Sequence, residues 1–329
     1  MTQAAAQIDL AVERLRAGRL VAFPTETVYG LGADAHNVAA LAEVFRAKGR
    51  PPNHPLIVHL ARDADLSAWT TDLPPLAVRL IERFWPGPLT LILKRAPSVP
   101  AEVAGGQDTI GLRCPDHPLA LALLAAFNAS APARQRGIAG PSANRFGHVS
   151  PTTAAHVAAE FPGEDIYILD GGACLVGIES TILDVSRLDG PAARPVLLRP
   201  GGIAAELLAE VIGELPGRAG VVAGQPRVSG SLAAHYAPRT PMTLLDGAHL
   251  SGMPVDDRVA VWSFSLAPRG KLWRVAPAEA SAYARQLYAR LRELDQLGAS
   301  HILIERPPSG PDWAALHDRL GRAETGSGF

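Results

Sequence analysis

Several short stretches in the first two-thirds of the chain join hydroxyl, cationic and amide side chains in a way that suits a small anionic ligand. In Phe23 to Gly32, FPTETVYGLG, two Thr, a Glu and a Tyr stand between an apolar run and two glycines. Hydroxyls supply donors and acceptors, and glycines let backbone approach a ligand. A turn whose hydroxyls bond their own backbone is the competing reading. Lys48-Gly49-Arg50-Pro51 sets a point charge and a planar fork two positions apart, a pairing suited to an anion with several oxygens. Cations at a helix C-terminus would serve the helix dipole equally well. His54 and His59 flank the next apolar run, and Thr109 and Arg113 share one face of a candidate strand. Gly140-Pro141-Ser142-Ala143-Asn144, Gly177-Ile178-Glu179-Ser180-Thr181 and Leu198-Arg199-Pro200-Gly201-Gly202 are further polar loop ends, and His235-Tyr236-Ala237-Pro238 lies in a stretch rich in Gly and Ser. The sum points to a phosphorylated ligand held by side chains. No Walker loop occurs, nor HExxH, paired CxxC or calcium loop, so no protein-built metal cage is visible. Gly30 to Ala35 imitates a dinucleotide fingerprint, but Pro24 to Tyr29 separates it from the strand that should run into it.

These residues need strand ends to hold them. Residues 8–17 read as an amphipathic helix and 20–23 as a buried strand. Asn37 can cap a helix ending at Lys48, with Gly49 just past it. Strands are expected at 55–60, 88–93, 109–113, 138–139, 166–169, 181–185 and 196–199, and helices at 75–84, 119–127 and 203–212. Ser150-Pro151 reads as a cap and first residue of a helix to about Glu160. The fold class expected is α/β: a twisted, mixed, open sheet with flanking helices. It would fill residues 1–212. Residues 213–241 lack periodicity and read as a linker, and 242–329 as a small Rossmann-like α/β domain with a helix at 278–297. The last five residues read as frayed.

The chain has 329 residues with 31 Gly and 29 Pro, an excess that belongs in special loops. Residues 1–215 carry 18 basic and 22 acidic side chains and the remainder 13 and 10, which counts against a large nucleic-acid surface. Only three of the 31 cations are Lys: Lys48, Lys94 and Lys271. Two cysteines make no disulfide framework, the N-terminal stretch has no apolar core of signal-peptide length, and the longest apolar run, Leu119 to Phe127, is too short to span a bilayer. A cytoplasmic protein without membrane contact is the expectation.

In order, FPTETVYGLG (23–32), KGRPPNHPLIVH (48–59), FWPGPLT (84–90), TIGLRCP (109–115), GPSAN (140–144), GIESTILD (177–184), LLRPGG (197–202) and SGSLAAHYAP (229–238) resemble the YrdC-like family, in its two-domain L-threonylcarbamoyladenylate synthase form. The tail fits through ARQLYARLRELDQLG (284–298) and DRLGRA (318–323). The resemblance implies a YrdC-like fold around a deep basic cavity. It implies an enzyme, a nucleotidyltransferase that makes L-threonylcarbamoyladenylate and pyrophosphate from ATP, L-threonine and bicarbonate, with Mg²⁺ arriving on the ATP. A partner transferase would pass the threonylcarbamoyl group to the tRNA adenosine beside the anticodon, with direct tRNA binding weak or absent. Carried over by motif, Lys48, Arg50, Ser142 and Asn144 match the phosphate-binding tetrad, with Lys48 and Arg50 as the catalytic cations. Thr27, His59, Arg113 and Ser180 match the threonine contacts. His54, Thr109, Thr152, Arg199 and Tyr236 match nucleotide contacts, and His235-Tyr236 makes the linker a lid. His54 replaces a frequent Asn, and 229–232 read SGSL where many members have SPGM. Residues 131–136 read as an added loop before GPSAN, and its Arg134 and Arg136 match no motif. The alternative within the family is an RNA-binding module without adenylate synthesis. A carbamoyl-handling relative in metalloenzyme maturation would need zinc-finger and acylphosphatase-like regions, which the sequence lacks.

Overall fold

A computed structural model of the chain describes residues 3–131, 135–188, 194–220, 225–252, 256–264 and 272–328. The first ten strands, β1 (Val21–Phe23), β2 (Gly30–Asp34), β3 (Ile57–His59), β4 (Leu89–Lys94), β5 (Thr109–Arg113), β6 (Ile138–Ala139), β7 (Tyr167–Ile168), β8 (Thr181–Asp184), β9 (Val196–Arg199) and β10 (Gly217–Arg218), form one sheet. Its order is β10-β9-β8-β4-β5-β3-β6-β2-β1-β7. Pairing is mixed: β3 runs parallel to β5 and β4 to β8, whereas β4 is antiparallel to β5 and β1 to β2. Around it lie α1 (Gln3–Arg16), α2 (Val38–Lys48), α3 (Pro75–Phe84), α4 (Pro118–Ala129), α5 (Ala154–Glu160) and α6 (Ala205–Ile212).

Helix α2 shows how local chemistry places a functional end. Asn37 Oδ1 accepts from the Ala40 amide at 3.1 Å, and Gly49 closes the helix at φ 63°, so Lys48 and Arg50 emerge at its C-terminus. Strand β2 was not foreseen. Its residues read as a ligand loop, yet they pair with β1 as a hairpin around residues 24–29. The two glycines serve that packing. A Cβ at Gly30 would meet the Phe23 ring at 2.9 Å, and one at Gly32 would meet Ile138 Cγ2 at 2.7 Å. Helix α5 opens at Ala154 with Thr153 as its cap, three residues later than Ser150-Pro151 suggested. The Ser150 hydroxyl instead donates to Glu179 Oε1 at 2.7 Å.

The second sheet is fully parallel, in the order β11 (Met242–Leu245), β14 (His301–Glu305), β12 (Val259–Ser263), β13 (Trp273–Val275). Helices α7 (Gly247–Gly252), α8 (Ala280–Gln296) and α9 (Ala314–Gly326) accompany it; α7 had no counterpart in the sequence reading. The tail is anchored as far as it is described: α9 reaches Gly326, and Ser327 Oγ accepts from the Met242 amide at 2.9 Å. The core of this unit is continuous with the first. Val28, Val149 and Ile178 are buried in one cluster with Tyr283, Tyr288 and Leu320.

Arg136 donates to Asp34 Oδ2 at 2.7 Å and lies over the Phe127 ring, which gives it a structural place. Lys94 pairs with Asp72 at 3.5 Å. Arg134 and Lys271 lie outside the described residues.

Candidate active site

The ends of β3, β5, β8 and β9, the 24–29 connection, the 140–144 loop and residues 229–236 enclose a cleft of about 530 Å³ including its solvent mouth. Thr27, Arg50, His59, Arg113, Ser142, Ser180, Arg199, His235 and Tyr236 line it. Nine of the sequence-derived candidates thus meet at one place, brought there from segments spread over more than 200 residues.

Arg113 leaves the end of β5 and is held on three sides. Its guanidinium donates to Gly87 O at 3.2 Å and Thr27 Oγ1 at 3.0 Å and pairs with Glu26 at 2.6 Å. The 24–29 segment contains the self-bonded turn that its hydroxyls allow. Thr25 Oγ1 donates to Val28 O and accepts from the Thr27 and Val28 amides, a local turn. That turn presents Thr27 Oγ1 to Arg113. Tyr29 is structural: its hydroxyl donates to Gly172 O and accepts from the Gly171 amide. His59 packs edge-on to Phe23, and burial, with Arg113 nearby, pushes its pKa down to about 3. It is therefore a neutral imidazole beside a cation.

Arg50 and Arg199 face each other across Ser229. Arg50 Nη2 donates to Ser229 Oγ at 3.0 Å and to Pro55 O at 2.9 Å. Arg199 Nη1 donates to Ser229 O at 2.9 Å, while its Nε and Nη2 reach Ser180 O at 3.1 and 2.8 Å. Burial lowers both guanidinium pKa values, that of Arg50 to about 10, with Arg199 adding to the effect. Two desolvated cations this close constitute a site short of negative charge.

Five candidates stand outside the cleft lining. Lys48 Nζ donates to the carbonyls of Ser142 and Asn144, so it braces the loop that carries Ser142. Burial, then Arg50, pulls its pKa well below the usual lysine value. Asn144 Nδ2 donates to Arg145 O and His148 O, and its Oδ1 is buried without a hydrogen-bond partner. Thr152 lies by His156 at the approach to α5. His54 meets Phe146 edge-on at 5.5 Å. Thr109 lines an adjoining cleft of about 270 Å³ with Gln107 and Arg227, and Ile57 and Ser229 belong to both clefts.

The 225–238 segment covers the site. Gln107 and Arg227 exchange two hydrogen bonds, and the Ala237 amide donates to Gly147 O at 2.9 Å. Tyr236 is 1% exposed, and its φ of 62° is the only positive value at a non-glycine among the described residues. Sequence reasoning passed over Glu26, Glu179, Ser229, Tyr288 and Arg319. All five were visible inside recognised motifs, but a motif letter does not say which residue faces which. Among the described residues no group of His, Cys, Asp and Glu could hold a metal ion.

Comparison with known proteins extends this geometry. The family described as Telomere recombination, which takes in Sua5, YciO and YrdC, matches residues 13–201. The family described as Threonylcarbamoyl-AMP synthase, C-terminal domain, matches residues 203–325. The threonylcarbamoyl-AMP synthase of Pyrococcus abyssi is 37% identical over 96% of this chain and 94% of its own length. The chain belongs to the threonylcarbamoyl-AMP synthase family. The Bacillus subtilis member is 38% identical over 97% of this chain and 93% of its own. The crystal structure of P. abyssi Sua5 complexed with L-threonine superposes with a TM-score of 0.84 at 35% identity, covering 97% of this chain and 94% of that one. The fold is therefore that of a two-domain family member throughout, and the mixed α/β class read from the sequence holds.

Proposed function

We propose that the protein makes L-threonylcarbamoyladenylate and pyrophosphate from ATP, L-threonine and bicarbonate. The observation that carries the reading is the paired site: a guanidinium flanked by Thr27 and neutral His59, next to two desolvated arginines under a lid. The first half fits an amino acid with a hydroxyl. Arg113 would take the carboxylate, with Thr27, His59 and Ser180 completing the polar wall. The second half fits a polyphosphate, whose charge would offset that of Arg50 and Arg199.

The chemistry asks for alignment more than for a strong base. The threonine amine, having lost its ammonium proton, adds to the carbon of CO₂ and gives up a second proton, or adds to bicarbonate with loss of water; either route gives the carbamate. A carbamate oxygen attacks the α-phosphorus of ATP, the α–β P–O bond breaks, and pyrophosphate leaves. The carbamate is a weak nucleophile and the α-phosphate is shielded by charge. Holding the two in line while Arg50, Arg199 and the loop braced by Lys48 neutralise phosphate charge lowers that barrier. Ser142 and Asn144 would belong to that phosphate wall, and His54, Thr109, Thr152, His235 and Tyr236 to the nucleotide side. Mg²⁺ would arrive as part of the ATP substrate, since no carboxylate cluster among the described residues fits a resident metal. The carbamate and the mixed anhydride decompose in water, so a lid bearing His235 and Tyr236 protects both. The product would pass to a transferase acting on tRNA, in the cytoplasm.

Pyrophosphate release from ATP, with each substrate omitted in turn, tests the reading. Release should require both L-threonine and bicarbonate; release without either one overturns it.

A further inference from the structure

Among the described residues the C-terminal unit contributes no side chain to the cleft lining, yet two of its residues reach the cleft's back wall. Arg319 on α9 is 0% exposed, and its Nε donates to Glu179 Oε2 at 2.8 Å. Tyr288 on α8 donates to the same oxygen at 2.7 Å. Ser150, from the first unit, donates to Glu179 Oε1 at 2.7 Å. Burial pushes the Glu179 carboxyl upward, but the charges of Arg319 and Arg199 and the hydrogen bonds from Arg319 and Ser150 outweigh it and hold the pKa at about 2. Glu179 itself lines the cleft and precedes Ser180, whose carbonyl anchors Arg199.

The same two residues grip the lid. The Tyr236 ring stacks on Tyr288 with centroids 5.6 Å apart, and the Arg319 guanidinium lies 5.2 Å from the Tyr236 centroid. The Tyr236 hydroxyl is buried without a hydrogen-bond partner, so side-chain hydrogen bonding does not hold this residue. Its left-handed backbone costs about 1–3 kcal/mol and persists only where the surroundings over-determine it. The His235 amide donates to Arg322 O at 3.2 Å and the Ala237 amide to Gly147 O at 2.9 Å, which pins the backbone on either side, and the contacts with Tyr288 and Arg319 hold the ring. A buried ion pair adds little net stability against an apolar replacement, and its best-attested use is to fix registry.

We propose that Arg319 and Tyr288 are positioning residues that fix the closed lid over the cleft, acting through the Tyr236 ring and the Glu179 carboxylate. The C-terminal unit then serves as the lid's latch plate. Its docking on Glu179 sets the back wall and the lid in one register. The effect on turnover rests on the synthase reading; the effect on the lid does not.

The test uses the full chain and the variants Arg319→Met, Arg319→Lys and Tyr288→Phe. Two quantities are read: amide hydrogen exchange in residues 228–237, and the split of KM for ATP against kcat in pyrophosphate release. Losing one hydrogen bond to a buried charge should open the lid about 10- to 100-fold more often. Exchange in 228–237 should rise by that factor in Arg319→Met and KM for ATP should rise with it. Tyr288→Phe keeps the ring stack and should show a smaller change of the same kind. Arg319→Lys, which restores the charge, should recover part of both. Unchanged exchange in 228–237 with the fold intact overturns the proposal, as does a fall in kcat alone. Should Arg319→Met not fold, Tyr288→Phe decides by the same criteria. A wild-type chain that releases no pyrophosphate would refute the synthase reading, and the exchange comparison would still decide the latch.

Discussion

Acid should loosen the two units from each other through Glu179, and the size of the effect follows from its surroundings. Its carboxyl has an ordinary pKa of 4.5 and is held at about 2 in the folded chain. A depressed folded pKa means stability that is fully present above pH 4.5 and is lost as pH falls toward 2. At pH 3 the folded carboxyl is still mostly ionised, whereas the unfolded one has bound its proton across one and a half pH units. At about 1.4 kcal/mol per unit, roughly 2 kcal/mol is gone. Glu160, also held at about 2 and paired with Arg292 of α8 at 2.8 Å, acts with the same sign. Glu179→Gln isolates the first contribution. At pH 7 it leaves the buried Arg319 short of a partner and should cost roughly 3–5 kcal/mol. Between pH 7 and pH 3 the gap to wild type should narrow by about 2 kcal/mol. Urea unfolding followed by ellipticity at pH 7, 5, 4 and 3 measures it. A gap that stays constant over that range would refute the idea that Glu179 is ionised and paired in the folded chain.

Four other substitutions probe separate parts of the argument. Lys48→Ala removes the brace on the 140–144 loop and should lower pyrophosphate release about 10- to 100-fold, the equivalent of one charge-assisted contact; an unchanged rate counts against it. Arg113→Lys cannot span Gly87, Thr27 and Glu26 together, so KM for threonine should rise about tenfold or more in initial-rate assays while KM for ATP stays put. At Gly230 φ is 77° and a Cβ would fall 2.2 Å from Tyr236 Oη, so Gly230→Ala should abolish release while the melting temperature drops only a few degrees, read by calorimetry. Asn37→Ala should cost about 1 kcal/mol of stability in urea titration, through loss of the α2 cap.

The parts legible in the sequence are those set by short-range rules. Asn37 and Gly49 bracket α2 because capping and left-handed closure are local. Helix α3 begins at Pro75 and strand β5 spans Thr109–Arg113, both as read from the chain. Strand β2 was missed because Thr25, Glu26 and Thr27 look like a loop, and only pairing with β1 makes Gly30–Asp34 a strand. Ser150 looked like a helix cap because nothing nearby reveals that its hydroxyl is claimed by Glu179.

The sequence by itself determined the chemistry available: motif residues able to hold an anion, an α/β order to set them at strand ends, and a linker with an aromatic insertion. Tertiary structure alone decided the use of each. Arg113 reaches Thr27 across 86 residues, Arg199 reaches Ser229 across 30, and Arg319 reaches Glu179 across 140. Composition and periodicity report how a segment meets water, whereas a buried charge is committed by the partner that replaces water. That partner is known only once the sheets, the lid and the C-terminal helices have closed on one another.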